Sequence, residues 1–351
     1  MEPTSTPSSE FSHPTSEVRH SYPLAIRDAS FGVAAQLLMK TMPYAMVRFG
    51  ILVVCSLVAI VWTLLALGGM ALLGSKIHGL VGFAWLLVFA GVGGYFWRTL
   101  VRYGLYMIKA GHIAVLTELI TRGEVSHGQE GMFQYGRRVV TERFGQMNAM
   151  FALDLLVHGV VVAFNRTLNW IANLLPIPGL SNVTAVVNQI VRASATYVDE
   201  TILSYSLARG DDNSFRSSRD GLIYYAQNSK EVLKTGVMIV ILEKVLMFCV
   251  WLVMLGPAFV IAWILPDIGL AKLAPLFFAW LFASNVRGAF LEPLFLIMVM
   301  TKFHVCAENQ AIDLDWDGKL SNLSDKFVQL KDKMASAGST GTSLESHRVV
   351  S

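Results

Sequence analysis

Uncharged apolar runs long enough to cross a bilayer alternate with polar segments along this chain. Residues 50–73 contain no charged side chain, and a second uncharged run at 79–97 follows after a turn of five residues. A helix needs about 20 mostly apolar residues to cross the hydrocarbon layer, so these runs predict two membrane spans in one hairpin. Runs at 236–265 and 273–300, joined by a short polar turn, predict a second hairpin.

The segments between the two hairpins are apolar on one side only. Residues 147–175 and 183–207 have helical patterns that carry charges such as Asp154. They fit either interfacial, half-buried helices or extra membrane segments whose polar side faces protein. Residues 98–143 have the spacing of an amphipathic helix leaving the second span. The pattern predicts an all-α polytopic membrane protein with four clear transmembrane helices in two hairpins, plus two or more amphipathic or half-buried helices between them.

Both ends of the chain have the composition of polar tails. Residues 1–35 are rich in Ser, Thr and Pro without the apolar core of a signal peptide, so we expect a disordered tail. A helical membrane domain then covers 36–307, and an acidic turn with an amphipathic helix covers 308–334. Residues 335–351 are expected to form a second disordered tail.

Basic residues flank the spans asymmetrically. The two hairpin turns hold one lysine each, whereas the segments before, between and after the hairpins hold the other Lys and Arg residues near the spans. Because such residues are retained on the cytoplasmic side, both termini and the central region are predicted to be cytoplasmic. The expected location is the plasma membrane, or the inner membrane in a bacterium.

Composition excludes several classes of protein. Apolar residues make up 54% of the chain and charged residues only 15%, whereas soluble domains carry about a quarter charged residues. The net charge of +3 comes from scattered basic residues, which argues against nucleic acid as a partner. Cys55, Cys249 and Cys306 have no metal or disulfide spacing, and no catalytic or cofactor-binding motif occurs. No enzymatic activity, metal or cofactor is expected.

Charged residues inside the later spans are the candidate functional residues, together with Asp154. A charge at mid-span costs roughly 2.5–3.5 kcal/mol on insertion scales, so it faces the bundle interior and marks a function or a pair. Glu243 and Lys244 lie seven residues into their run, where the interface and the interior fit equally well. Arg287 and Glu292 lie nearer the centre of theirs, and each is expected to pair across helices with Glu243, Lys244 or Asp154.

Aromatic residues of the second hairpin form a candidate wall for an organic cation. Trp251, Phe277 and Trp280 belong to this set, since aromatic faces attract quaternary ammonium groups. A lipid-facing or interfacial belt is the alternative. Pro257 and Pro293 predict bends in the same two helices.

One third of the chain, about residues 187–314, carries an ordered set of features. These are Tyr197 to Tyr205, Arg209-Gly210, Ser218-Arg219-Asp220-Gly221 with Tyr224-Tyr225, Glu243-Lys244-Val245, and Gly288 to Glu308. In this order they resemble the C-terminal half of the choline transporter-like family. That family has more spans and a large external loop after its first span, for which the first hairpin turn leaves no room. The resemblance implies passage of a small organic cation such as choline, or of a lipid-related solute.

Three hypotheses for function follow from these patterns. The first is a transporter-like protein, expected to work as a homo-oligomer because four to six helices enclose little volume. The second is a non-transporting membrane scaffold or partner subunit, which binds another protein through cytoplasmic amphipathic helices. The third is a lipid-binding or membrane-remodelling protein, whose basic residues contact anionic membrane lipids.

Overall fold

Helices account for the regular secondary structure in the part of the chain that the structure describes, as the sequence predicts. The structure is a computed structural model that describes residues 22–97, 99, 102–144, 147–167, 197–211, 213–264 and 274–348. Its helices are α1 (Phe31–Lys40), α2 (Met42–Lys76), α3 (Gly79–Phe96), α4 (Arg102–Arg122), α5 (Met132–Phe144), α6 (Met147–Asn165), α7 (described over 197–209), α8 (Ser214–Ile264), α9 (Ala274–Val286), α10 (Glu292–Ala307), α11 (Asp315–Leu323) and α12 (Asp325–Arg348).

Four helical paths are long and apolar enough to cross a membrane, which confirms the four spans. They are α2, α3, α8 and the path Pro275–Ala307 that joins α9 to α10. Helix α3 packs against α2 and α9 packs against α8, so the spans form two hairpins. The first hairpin is closest at Gly82, where an added Cβ would lie 2.9 Å from the Cα of Gly74.

The spanning helices are longer than the apolar runs predict, because their other ends enter a buried helical assembly. Helix α8 begins 22 residues before the predicted span at 236, and its first turns are buried from Asp220 to Ala226. The chain therefore has two parts, named here by their residues. The hairpin region is 50–96, 236–264 and 274–291, and the helical core is 22–49, 102–144, 147–167, 197–211, 213–235 and 292–337.

Helix α4 is the centre of the helical core, and its predicted amphipathic character is wrong. Every residue from Ala110 to Thr121 is buried, including His112 and Glu118. Some polar side chains on this helix find partners inside the core, as when Thr117 Oγ1 lies 2.7 Å from Ser204 Oγ of α7. The polar positions of α4 do not mark a solvent-exposed face, because residues 110–121 are buried on every side of the helix.

The fourth apolar run covers two helices that have different surroundings. Helix α9 lies in the hairpin region, and a π-helical turn at Arg287–Leu291 joins it to α10. Helix α10 is then buried from Pro293 to Thr301 within the helical core. The part of the predicted span 273–300 from Pro293 onward is thus buried by other helices, although the whole path Pro275–Ala307 is long and apolar enough to cross a membrane.

Both predicted tails include ordered residues, which corrects their boundaries. Tyr22 is 8% exposed, and its Oη lies 2.7 Å from Nδ1 of the buried His304. The side chain of Ser30 caps α1, which begins at Phe31, so order starts well before residue 36. At the other end α12 continues to Arg348, beyond the predicted limit of 334.

The two ambiguous segments between the hairpins are described in part. Helix α6 covers Met147–Asn165 and packs on α8 and α12, so it is a half-buried helix of the core. Of the segment 183–207, α7 is described from residue 197 and is likewise buried. The rest of both segments lies outside the described residues.

Candidate functional site at the junction of hairpins and core

Glu243 and Arg287 form an ion pair across the second hairpin. The Arg287 guanidinium lies 2.6 Å from Glu243 Oε1, which confirms the predicted cross-helix pairing. From Glu243 to Ile264, α8 rises about 32 Å at 1.5 Å per residue, close to the roughly 30 Å thickness of the hydrocarbon layer. The pair therefore lies about one hydrocarbon thickness from Ile264, the last described residue of α8.

Glu292 pairs with a residue that the sequence did not suggest. Its Oε2 lies 2.5 Å from Nη2 of Arg48, at the base of the first hairpin. The next residue, Phe49, packs its ring against Phe282 and Phe290, with centroids 5.5 and 5.7 Å away. This contact ties α2 to the π-helical turn and so joins the two hairpins where they leave the core.

A polar pair lies just inside the hairpin region. Ser56 and Asn285 are hydrogen-bonded, with Asn285 Nδ2 donating to Ser56 Oγ at 3.0 Å. Asn285 is only 8% exposed, so its amide faces the neighbouring helix and not the surroundings. The pair extends the contact between α2 and α9 by two turns beyond Arg48.

The remaining predicted candidates of the hairpin region do not join these pairs. Lys244, next to Glu243 on α8, is exposed. Trp251, Phe277 and Trp280 are 41%, 53% and 56% exposed, which places much of each ring on the lipid-facing surface. The interpretation as a belt therefore fits the geometry better than a closed cation-binding wall.

Two apolar grooves separate the hairpins beyond the Ser56–Asn285 pair. One, with a volume of about 480 Å³, lies between α2, α8 and α9, and its walls include Leu57, Pro257 and Phe282. The other measures about 280 Å³ and lies between α2 and α9, where Phe277 contributes. Neither of these two grooves is lined by Glu243, Lys244, Arg287 or Glu292.

A second charged cluster connects α4, α6 and α7 within the core. Lys109 contacts Glu200, and His158 Nδ1 lies 3.2 Å from Asp199 Oδ2. Asp154 faces the same group from α6. Burial, followed by the neighbouring Asp199 carboxylate, raises the pKa of Asp154 to about 6. Burial also raises the pKa of Glu200, whose charge Lys109 compensates.

The two clusters act on each other electrostatically. Burial raises the pKa of Tyr197, at the start of described α7, and the carboxylates of Glu292 and Glu243 raise it further. The charge of Arg48 likewise acts on Lys109. We call the whole set the charged layer, and it comprises Arg48, Lys109, Asp154, His158, Asp199, Glu200, Glu243, Arg287 and Glu292.

Sequence reasoning identified four members of the charged layer as candidates and missed the other five. Glu243, Arg287, Glu292 and Asp154 stand out because they interrupt apolar runs. Lys109, His158, Asp199 and Glu200 lie on helices whose depth the pattern leaves open, and Arg48 directly precedes an uncharged run. A search for opposite charges at both ends of apolar runs would have found Arg48.

Comparisons with family models, with curated proteins and with solved structures found no match. Within the described ranges, no three His, Cys, Asp or Glu side chains are grouped so that they could hold a metal ion. Cys55, Cys249 and Cys306 are free thiols. The charged layer therefore consists mainly of opposite charges on different helices, which neutralise one another at the boundary of the hairpin region.

Proposed function

We propose that this membrane protein is a non-transporting scaffold, which uses two apolar hairpins to hold a helical core against the cytoplasmic face of the membrane and to present it to a protein partner. The proposal rests on the ion pairs within the charged layer. Arg48 with Glu292, Arg287 with Glu243, and Lys109 with Glu200 neutralise one another between helices. Such pairs fix the geometry of a junction and leave few charges for a solute.

The continuity of the helices supports the same function. Helices α2 and α8 pass from the hairpin region into the helical core without a break, and the π-helical turn joins α9 to α10. A continuous helix of this kind fixes the position of the helical core relative to the membrane-spanning hairpins. It gives little freedom for the rocking of one helix bundle against another that alternating access requires.

Passage of a small organic cation is the alternative, which the resemblance to the choline transporter-like family implies. The exposed aromatic residues Trp251, Phe277 and Trp280 would line a path for such a cation in an oligomer that encloses them between copies of the chain. Lipid binding is a further alternative, since the grooves between the hairpins are apolar and lie at membrane depth. The positive residues outside the hairpin turns support a cytoplasmic core under each of these alternatives.

Site-specific cross-linking in native membranes tests the scaffold proposal. A variant without native cysteines would carry Phe133→Cys on α5, where the side chain is 44% exposed on the core. A membrane-impermeant cysteine cross-linker applied to inside-out vesicles should then join the chain to one other protein, which mass spectrometry identifies. Val253→Cys, 65% exposed in the hairpin region, is the matched control and should not react.

Two results would contradict the proposal. The first is reaction of Phe133→Cys from the outside of right-side-out vesicles, which would reverse the orientation. The second is a product from Phe133→Cys that contains only copies of this chain, because a scaffold needs a second protein to hold.

A further inference from the structure

A small polar pocket lies inside the helical core, where α4, α6, α7 and α8 meet. Tyr106, Asp154, Asp199 and Ser218 contribute its polar groups, and Leu153, Val157 and Leu203 complete the wall. Its volume of about 10 Å³ is close to the least that admits one water molecule. The pocket therefore suits a proton or a single water, and excludes larger ligands.

One polar atom in this pocket has no partner. Ser218 is fully buried, and its Oγ makes no hydrogen bond within the described residues. Glu200 Oε2, on α7 directly after Asp199, is also buried without a hydrogen bond within the described residues. Leaving a buried polar group unsatisfied costs about 1–3 kcal/mol, so natural proteins supply a partner at such positions.

Two carboxyl groups share this small pocket. Ionised Asp154 and Asp199 offer acceptors only, and the donors that line the pocket with them are the neutral hydroxyl groups of Tyr106 and Ser218. Lys109 is occupied by Glu200, and His158 by Asp199. No ion pair joins Asp154 to any residue in the described ranges. A proton on one carboxyl would remove a charge and add an O–H donor.

We propose that this pocket is a protonation site, in which Asp154 takes up a proton and thereby closes α6 onto α7 and α8. The protonated carboxyl donates a hydrogen bond to a neighbouring oxygen and no longer repels Asp199. Loss of the proton restores two adjacent carboxylates and pushes α6 away from α7. The site thus couples proton concentration on the core side of the membrane to the packing of the core.

The groups that face Asp154 determine where this transition occurs. Asp199 of α7 disfavours the ionised form, whereas Lys109 of α4 and His158 of α6 favour it. Glu200 of α7 and Tyr106 of α4 also lie within electrostatic reach of Asp154. Because Asp154 is only partly buried, protons reach it directly from solvent. The transition is expected near pH 6, the pKa of this carboxyl.

Hydrogen–deuterium exchange of the full-length protein in nanodiscs tests this site. After correction for intrinsic exchange, amides of α6 and α7 should open about tenfold more often at pH 8 than at pH 5, because pH 5 lies about one unit below the closed-form pKa of about 6 and one unit is worth a factor of ten. Asp154→Asn, which keeps a neutral hydrogen-bonding side chain, should lose most of this pH dependence and keep only the part that the His158–Asp199 contact contributes. The exposed Asp332→Asn on α12 is the matched control and should behave like wild type.

An unchanged pH response in Asp154→Asn would overturn the proposal, as would equal protection of the wild type at both pH values. A second measurement on the wild type needs no variant. Infrared difference spectra should show a protonated buried carboxyl forming between pH 7 and pH 5.5, above the range in which ordinary carboxyls titrate. Its absence would also contradict the proposal.

Discussion

Arg48 Nη2 lies 2.5 Å from Glu292 Oε2, and this contact joins the first hairpin to the helix that enters the core. The two side chains are 16% and 34% exposed, so water reaches the carboxylate more easily than the guanidinium. Directly beyond them, the rings of Phe49 and Phe290 pack together. The pair therefore fixes the position of α2 relative to the π-helical turn.

Removing the charge of Glu292 should destabilise the protein because Arg48 then loses its partner. We expect Glu292→Gln to lower the free energy of unfolding by about 1–2 kcal/mol, between the values for exposed and buried pairs. The swap Arg48→Glu with Glu292→Arg should recover most of that loss. Thermal unfolding in one detergent measures both variants.

The exposed pair Glu231–Lys234 on α8 is the control for this experiment. Its side chains are 45% and 47% exposed, and Glu231→Gln should change stability by no more than about 0.5 kcal/mol. Equal effects of Glu292→Gln and Glu231→Gln would show that the junction pair has no special role.

Gly82 is a position in the first hairpin where an added methyl group would meet the backbone of the facing helix. A Cβ there would lie 2.9 Å from Gly74 Cα and closer still to the carbonyl oxygen of Met70. Gly82→Ala should therefore separate α2 from α3 and destabilise the hairpin by about 1–3 kcal/mol. Gly91→Ala, with no atom within 4 Å of the new Cβ, is the matched control on the same helix. A Gly82→Ala variant as stable as Gly91→Ala would mean that the helices do not approach this closely.

A buried hydrogen-bonded chain ties the N-terminal segment to the core. Tyr22 Oη lies 2.7 Å from Nδ1 of His304, whose Nε2 lies 2.8 Å from Ser204 Oγ. Tyr22→Phe leaves His304 Nδ1 unpartnered, and we expect it to cost about 1–3 kcal/mol in unfolding free energy. Tyr95→Phe, at a side chain that is 73% exposed, should have no measurable effect. Proteolysis near residue 22 should also accelerate in Tyr22→Phe, and an unchanged rate would argue against this anchor.

His158 should titrate above its usual range. The hydrogen bond to Asp199 raises its pKa and outweighs the effect of burial. The charged imidazole then stabilises the fold fully below about pH 6.5, and this stabilisation is lost as pH rises through the raised pKa. Histidine-labelled NMR should show the pKa returning towards about 6.5 in Asp199→Asn. A wild-type value at or below that level would contradict the contact.

The hairpins were predictable from the sequence because membrane spans leave a strong one-dimensional signal. The uncharged runs at 50–73 and 79–97 determine α2 and α3 almost by themselves. Core helices leave a weaker signal when they are buried on all sides. Helix α10 is part of a predicted span and yet is buried by protein, and α4 was interpreted as amphipathic, since composition alone does not distinguish burial in protein from burial in lipid.

The candidate site was partly predictable for a related reason. Charges that interrupt apolar runs are visible in the sequence, and Arg287 was correctly expected to pair with another helix. The partner of Glu292 was not, because Arg48 lies 244 residues away and only the packing of α2 on the π-helical turn brings them together. The Asp154 cluster required the relative placement of three helices.

Solute flux tests the central claim of a non-transporting scaffold most directly. Purified protein in sealed liposomes should take up labelled choline no faster than protein-free liposomes do, and Glu292→Gln should behave in the same way. Saturable choline uptake by the wild type that Glu292→Gln abolishes would contradict the scaffold and establish a transport function for the charged layer.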